Sequence, residues 1–184
     1  MIELIDRIDI PQKLYDNVYN TEPNRFRNSL NVDAKEKTPQ ANQQLKKFYG
    51  DHNCWNVSWT DTWYKDIVPQ SILEKLDVGY PLSAVVRKQN PGNFVPPHRD
   101  TFKSLFFEQD PSAKPNDVLR MWIPLEDYQF GQVFFVEDQV FYNWKAGDVY
   151  VFPAYAYHSS ANAGEHSRHV LLVNCKKLYT KEEK

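Results

Sequence analysis

Residues 147–175, GDVYVFPAYAYHSSANAGEHSRHVLLVNC, contain the pattern that decides the fold. Two runs rich in β-branched and aromatic residues, DVYVFP and HVLLVNC, flank a polar segment that contains ANAG. Short runs of this composition, separated by turn residues, are typical of β-strands. We interpret Asn162-Ala163-Gly164 as a three-residue hairpin loop in which Gly164 takes the left-handed conformation.

Three runs of the same kind precede this stretch: LSAVVRKQ, VLRMWIPL and QVFFVEDQVFYNW. Short strands at regular intervals predict an antiparallel sandwich or barrel over residues 82–175. Residues 1–81 differ, because helical spacing of apolar residues and stop signals predict helices near 11–19, 38–50 and 69–77. We therefore expect one domain of 184 residues, with a helical N-terminal support, a β core and a solvated tail at 176–184.

Two segments interrupt this division. Residues 101–117 contain two prolines and no strand pattern, and we expect a mobile loop there. Trp55, Trp59 and Trp63 recur every fourth residue, which places them on one side of either a strand or a helix. We interpret them as packing residues, and a substrate-binding aromatic wall is the alternative.

The charge balance disfavours some classes of partner. The chain has 22 Lys and Arg against 24 Asp and Glu, a formal charge of −2 with no basic block, so a large nucleic-acid surface is not indicated. No apolar run approaches the roughly 20 residues that span a bilayer. The N-terminus MIELIDRIDI carries acids where a signal peptide is apolar. We expect a soluble, cytoplasmic protein without a membrane partner. Cys54 and Cys175 are far apart and predict neither a disulfide nor a cysteine zinc site.

A metal site is indicated by His98, Asp100 and His158. Residues i and i+2 of an extended segment point to the same face, as two ligands of one ion must. His158 follows the strand DVYVFP and offers a third donor. Two histidines and a carboxylate with open positions suit non-haem Fe(II), and zinc is the competing metal.

An arginine favours iron over zinc. If the hairpin is centred on Ala163, His158 pairs with Arg168 and their side chains share a face. A buried guanidinium is costly without an anion. A dicarboxylate co-substrate meets that need, since one end can reach the metal and the other the fork of Arg168.

The sequence His98-x-Asp100, followed by His158 and then Arg168, resembles the Fe(II)/2-oxoglutarate-dependent dioxygenases. The resemblance implies a double-stranded β-helix, that is, a jelly-roll or cupin-like barrel, over residues 82–175. It implies Fe(II) on the three donors, 2-oxoglutarate with its distal carboxylate on Arg168, and O2. The implied reaction hydroxylates an unactivated C–H bond and releases succinate and CO2.

NPGNFVPPHRD, LRMWIPL and WKAGDVYVFPAYAYH are similar to the aspartyl/asparaginyl β-hydroxylase branch. This likeness implies that Arg120 also helps to bind 2-oxoglutarate. Alternation along the strand independently places Arg120 and Trp122 on one face. Asp100 stands where many members of the branch have glycine, and Trp122 stands where the branch has histidine. The insertion at 101–117 is a third departure.

Several further residues are candidates or alternatives. Arg87, Gln89 and Trp122 are candidates for lining the co-substrate pocket, although ordinary sheet placement explains Arg87 and Gln89 equally well. We interpret His52, His166 and His169 as structural or exposed, and we expect His169 to point away from the face of Arg168. Tyr155 and Tyr157 flank the second histidine, and we assign at least one of them to core packing.

The leading functional hypothesis is an oxygenase that hydroxylates an amino-acid side chain. The substrate is either a polypeptide (Asp, Asn or Pro) or a free amino acid or small metabolite. A nucleic-acid demethylase is a same-fold alternative that the acidic balance disfavours. A cupin-like module, either non-catalytic or zinc-binding, is the alternative of a different class. Arg168 and Arg120 discriminate, because a metal-only module needs no guanidinium inside its barrel.

Overall fold

The computed structural model describes residues 2–30, 57–76, 81–100 and 117–176. Within these ranges the chain forms eleven strands and two helices. The strands are β1 (Glu3–Arg7), β2 (Asn24–Leu30), β3 (Val57–Lys65), β4 (Pro81–Gln89), β5 (Phe94–His98), β6 (Val118–Pro124), β7 (Gln132–Val136), β8 (Gln139–Phe141), β9 (Asp148–Pro153), β10 (His158–Asn162) and β11 (Arg168–Lys176). The helices are α1 (Gln12–Asn20) and α2 (Gln70–Lys75).

The strands form two antiparallel sheets. The large sheet has the order β1-β9-β6-β11-β4-β3-β2, and the small sheet has the order β5-β10-β7-β8. The predicted mainly β double-stranded β-helix is confirmed. No pairing between described strands joins the two sheets, so they form an open sandwich instead of a closed barrel.

Two apolar clusters lie on opposite faces of the large sheet. The outer core, between this sheet and the two helices, includes Leu14 of α1, Ile72 of α2 and Met121 of β6. The inner core, between the two sheets, includes Trp122 of β6 and Phe134 of β7. Neighbouring residues of β6 thus enter different cores, because successive side chains of a strand point to opposite faces.

The helices lie where the sequence predicts helices near 11–19 and 69–77. Among the described residues, no helix is long and apolar enough to cross a membrane. Several predicted features lie wholly or mostly outside the described residues: the predicted helix at 38–50, all but residue 117 of the predicted loop at 101–117, all but residue 176 of the predicted tail at 176–184, and His52, Cys54 and Trp55.

The expected helical N-terminal support over residues 1–81 needs a correction, because the described part of this segment also contains β1, β2 and β3. The sequence of β1 has no alternation of apolar and polar residues that would predict a strand, since all five residues are exposed at the edge of the large sheet. The tryptophan-rich segment is a strand, and Trp63 of β3 lies directly opposite Arg87 of β4.

The predicted hairpin between β10 and β11 is also wrong. β10 pairs with β5 and β7 in the small sheet, whereas β11 pairs with β4 and β6 in the large one. Gly164 has no positive φ. It allows a close approach instead, because a Cβ there would lie 2.3 Å from the carbonyl oxygen of Phe130. The connection therefore crosses from one sheet to the other.

Replacing a glycine can destabilise the protein in two ways, by forcing a side chain into a positive φ or by a clash of the new Cβ. Gly92 has only the first problem, and Gly147 has both. Gly147 has φ +80°, and a Cβ there would lie 2.0 Å from the carbonyl oxygen of Ile8. Gly92 has φ +76°, but no described atom lies within 4 Å of its Cβ position. We expect Gly147→Ala to lower the free energy of unfolding by about 3 kcal/mol or more, and Gly92→Ala by about 1 kcal/mol. Urea unfolding of both variants measures the difference, and equal losses would contradict the close packing of the turn before β9 on residue 8.

Candidate metal centre and buried arginine

His98 and His158 meet because β5 and β10 are antiparallel neighbours. The two residues are directly opposite in the register, so their side chains lie on the same face of the small sheet. Their ring centroids are 4.3 Å apart. Asp100 follows two residues after His98, and one ligand atom from each of the three residues lies within 4.8 Å of the others.

Backbone carbonyls orient both imidazoles. The Nδ1 atom of His98 lies 2.8 Å from the oxygen of Pro96, and Nδ1 of His158 lies 3.0 Å from the oxygen of Ala156. A carbonyl only accepts, so in the neutral ring the proton is on Nδ1 and the lone pair on Nε2. The lone pair on Nε2 of each histidine can therefore coordinate a metal ion within the cluster.

Arg120 supplies the positive charge next to these donors. Its Nη1 forms an ion pair with Oδ2 of Asp100 and lies 3.2 Å from Nε2 of His158. Because a guanidinium only donates, Nε2 of His158 must accept, which agrees with the tautomer set by Ala156.

The pKa values of the cluster follow from burial and charge. Burial alone would raise the pKa of Asp100, but the charge of Arg120 and the neighbouring imidazoles of His98 and His158 outweigh it and hold this pKa well below its usual value. Burial, followed by the charge of His98, lowers the pKa of His158 to about 3. Both side chains are therefore already deprotonated near neutral pH, which is the form that binds a metal.

Asn174 and Ser83 fix the direction of Arg120. The Nε of Arg120 donates to Oδ1 of Asn174 at 3.0 Å, and Nδ2 of Asn174 donates to Oγ of Ser83 at 2.8 Å. Asn174 faces Arg120 directly across β6 and β11. This chain of bonds holds the guanidinium with its far end towards Asp100.

Arg168 is buried, and its hydrogen bonds go to neutral groups. Its Nη1 donates to the oxygen of Val133 at 3.1 Å, and its Nη2 donates to Oε1 of Gln89. Its Nε is buried and has no hydrogen-bond partner among the described residues. The guanidinium carbon lies 5.3 Å and 5.7 Å from the ring centroids of Trp144 and Trp122. Burial lowers the pKa of Arg168 to about 10, so the side chain is still a cation near pH 7.

Gln89 connects Arg168 to the strand of the second histidine. While it accepts from Arg168, its Nε2 lies 3.1 Å from Oγ of Ser160. Ser160 is two residues after His158 on β10 and points to the same side. Gln89 therefore links the buried arginine to the strand that carries His158.

The other predicted residues are placed as follows. Trp122 is buried in the inner core and stacks on Phe134, with ring centroids 4.8 Å apart. The guanidinium of Arg87 lies 5.0 Å from the ring centroid of Trp63. Contact of Trp122 or Arg87 with a co-substrate stays a prediction.

His166 and His169, together with Tyr155 and Tyr157, lie outside the cluster of donors. His169 is buried on the face opposite Arg168, with Nδ1 at 2.7 Å from Oε1 of Glu126, as its structural interpretation requires. His166 is exposed. Tyr155 and Tyr157 are half-buried and lie under the guanidinium of Arg99, so neither is a core residue.

Sequence reasoning missed Asn174, Ser83 and Ser160. The alternation of a strand could have found two of them. Asn174 is six residues after Arg168 on β11, and Ser160 is two residues after His158 on β10, so each lies on the same face as a predicted site residue. Ser83 becomes relevant only through the pairing of β4 with β11, which no local pattern reveals.

Comparison with known families agrees with this geometry. Residues 68–177 match the family model described as aspartyl/asparaginyl beta-hydroxylase. The chain belongs to this family. The match includes the three donor residues, both buried arginines and both described sheets except β1, β2 and β3. Family membership supports a hydroxylase activity, of the oxidoreductase class.

Solved structures that align with the chain have low sequence identity. An oxidoreductase of the 2OG-Fe(II) oxygenase family from Burkholderia pseudomallei is 13% identical, with 64% of this chain and 69% of that chain covered and a TM-score of 0.46. A predicted oxalate decarboxylase from Thermotoga maritima is 16% identical, with 64% and 82% covered and a TM-score of 0.42. The Cnp3 cupin domain of Schizosaccharomyces pombe is 11% identical, with 66% and 80% covered and a TM-score of 0.41. No curated protein gives a significant match to this chain.

Replacing Asn174 tests the support of Arg120. Asn174→Leu removes the acceptor of a buried charged donor, and we expect the free energy of unfolding to fall by about 2–3 kcal/mol. Ser83→Ala removes only the outer bond, and we expect a loss of about 1 kcal/mol or less. Urea unfolding of the metal-free protein measures both. A loss in Asn174→Leu no larger than that in Ser83→Ala would show that Asn174 is not needed to pair Arg120.

Proposed function

We propose that this protein is an Fe(II)- and 2-oxoglutarate-dependent hydroxylase. One observation carries the proposal: Arg168 is a buried cation whose hydrogen bonds go to neutral groups, and one of these groups, Gln89, also contacts Ser160 on the strand of His158. A buried guanidinium without a carboxylate is costly unless an anion completes its environment. A co-substrate with two acidic ends satisfies the arginine and reaches the donors.

The donor set fits a divalent transition metal. His98, Asp100 and His158 offer two imidazole nitrogens and one carboxylate, and the carbonyls of Pro96 and Ala156 favour the histidine tautomers that a metal requires. The three residues would hold iron and leave other coordination positions open. Bound there, iron would supply the oxygen activation and C–H oxidation that protein side chains do not provide.

The two arginines have different tasks in this proposal. Arg168 would take the distal carboxylate of 2-oxoglutarate by its planar fork, with Trp122 and Trp144 keeping water from the contact. Arg120 would help to bind the co-substrate beside the donors while it holds Asp100 in place. Gln89 would position Arg168, since it accepts from that guanidinium.

The proposed substrate is an amino-acid side chain, either in a polypeptide or as a free amino acid or small metabolite. Family membership supports this choice. A zinc-binding or non-catalytic module would use the same three donors. It would give no role to the buried Arg168, which is why the hydroxylase is preferred.

Anaerobic visible absorption tests the proposal on the protein itself. The metal-free protein is titrated with Fe(II) and then with 2-oxoglutarate, and we expect the weak charge-transfer band of the chelate. The band should disappear in His158→Ala. In Arg168→Lys, which keeps the charge but loses the fork, we expect the band to need about tenfold or more co-substrate. Lys145→Ala, at an exposed ion pair with Asp127, is the control and should behave as wild type.

The alternatives give different results in the same titration. Metal binding without any band would favour the zinc-binding or non-catalytic module. An unchanged co-substrate requirement in Arg168→Lys would remove that arginine from the co-substrate site. Succinate release coupled to candidate peptides or free amino acids then separates the substrate classes.

A further inference from the structure

Arg99 stands in the sequence between the proposed metal ligands His98 and Asp100, and its side chain packs on two tyrosine rings. Its guanidinium carbon is 3.8 Å from the ring centroid of Tyr157 and 4.9 Å from that of Tyr155. Its Nε is buried and has no hydrogen-bond partner among the described residues. The side chain therefore leaves the donor cluster and packs on the segment that leads into His158.

Tyr157 is also held from its other side. The backbone N–H of Tyr157 donates to Oε1 of Glu137 at 2.9 Å, and the backbone N–H of Glu137 donates to the oxygen of Tyr157 at 2.8 Å. Glu137 takes a φ of +52° as the first of the two residues that connect β7 to β8, which is a normal conformation for a two-residue hairpin turn. Both backbone polar groups of Tyr157 are thus fixed by one residue of the turn between β7 and β8.

The strand pairing beside the histidines is weak and explains the need for such support. β5 is the edge strand of the small sheet and contains Pro96 and Pro97, which have no N–H to donate to β10. The register between β10 and β5 also shifts between His158 and Ser160. A regular ladder of hydrogen bonds therefore does not fix His98 against His158.

We propose that Glu137, Tyr157 and Arg99 form a brace that sets the spacing of the two histidine-bearing segments. Glu137 fixes Tyr157, which is adjacent to His158, and the ring of Tyr157 holds Arg99, which is adjacent to His98 and Asp100. In this proposal Arg99 is a positioning residue, since its guanidinium is directed to the tyrosines. The brace rests on the proposed function only in that the three donors bind a metal.

Metal affinity is the property that the brace controls. If the donors are less well placed before binding, part of the binding free energy is spent on ordering them. A cation over an aromatic face at a partly desolvated site is strong enough for an effect of about threefold to tenfold on the dissociation constant.

The first test measures Co(II) binding to the metal-free protein by visible absorption. We expect Arg99→Met and Tyr157→Leu to bind Co(II) about threefold to tenfold more weakly. Arg99→Lys and Tyr157→Phe keep a cation and a ring, and should stay within about twofold of the Co(II) affinity of wild type.

The Glu137 variants test the other end of the brace. Glu137→Ala should bind Co(II) as weakly as Arg99→Met, and Glu137→Gln should bind nearly as wild type because it keeps the acceptor. Asp127→Ala is the matched control, since Asp127 is also an exposed carboxylate that accepts a backbone N–H, that of Ala146.

Hydrogen exchange provides a readout that needs no metal. The Tyr157 amide should be protected in the metal-free wild type and should exchange faster in Arg99→Met, where the bond to Glu137 is chemically untouched. Unchanged exchange of the Tyr157 amide in Arg99→Met would overturn the brace, and so would an unchanged Co(II) affinity.

The outcomes also separate this proposal from the proposed function. If wild type binds no Co(II), both proposals fail. If Arg99→Met binds Co(II) normally while wild type forms the 2-oxoglutarate band, the brace is wrong and the hydroxylase assignment stands. If Arg99→Met binds Co(II) and 2-oxoglutarate normally but loses substrate turnover, Arg99 contacts substrate and the brace is again wrong.

Discussion

The site depends on one strand pairing, that of β5 with β10. In this pairing His98 lies directly opposite His158, although the register shifts between His158 and Ser160. Asp100 comes two residues after His98, just beyond the end of β5, and its carboxylate lies within reach of both imidazoles. A shift of one residue in this register would turn one histidine to the other face and disperse the donors. The other interactions of the site act on residues that this pairing brings together, as when Arg120 pairs with Asp100.

Charge in the space between the sheets is balanced unevenly. Asp100 and Arg120 neutralise each other, whereas Arg168 is paired with neutral groups, so these three side chains together carry one net positive charge. A divalent cation alone would add to that charge in a region of low dielectric constant. A dianion that arrives with the cation would leave the total unchanged. Under the proposed function, a metal that binds together with a dicarboxylate would therefore add less charge to this space than a metal alone.

The sequence predicts the parts of the site that local geometry determines. The spacing of His98 and Asp100, and the parity of Arg120 on β6, follow from alternation in an extended chain, and the structure has them on the predicted faces. The sequence predicts the inner face for Arg168 from a pairing with His158. That pairing is wrong, since the residue opposite Arg168 across the sheet is Gln89. The error arose because Gly164 permits a close backbone approach, which looks in the sequence like a hairpin glycine.

What the sequence could not predict depends on contacts between distant segments. Asn174 and Ser83 meet only because β11 and β4 are neighbours, and Glu137 reaches Tyr157 only because the turn after β7 lies against the start of β10. Such contacts leave no periodicity in either segment. The exposed edge strand β1 shows a related limit, because a strand without a buried face has no alternation to detect.

Trp122 and Asp100 act on different arginines of the site. Trp122 stacks on Phe134 in the inner core, and its ring centroid lies 5.7 Å from the guanidinium carbon of Arg168. Asp100 pairs with Arg120 beside the two histidines. Both guanidinium groups are buried, but the hydrogen bonds of Arg168 go to neutral groups, whereas Arg120 is held by a carboxylate. The same kind of side chain therefore has two different electrostatic environments within one site.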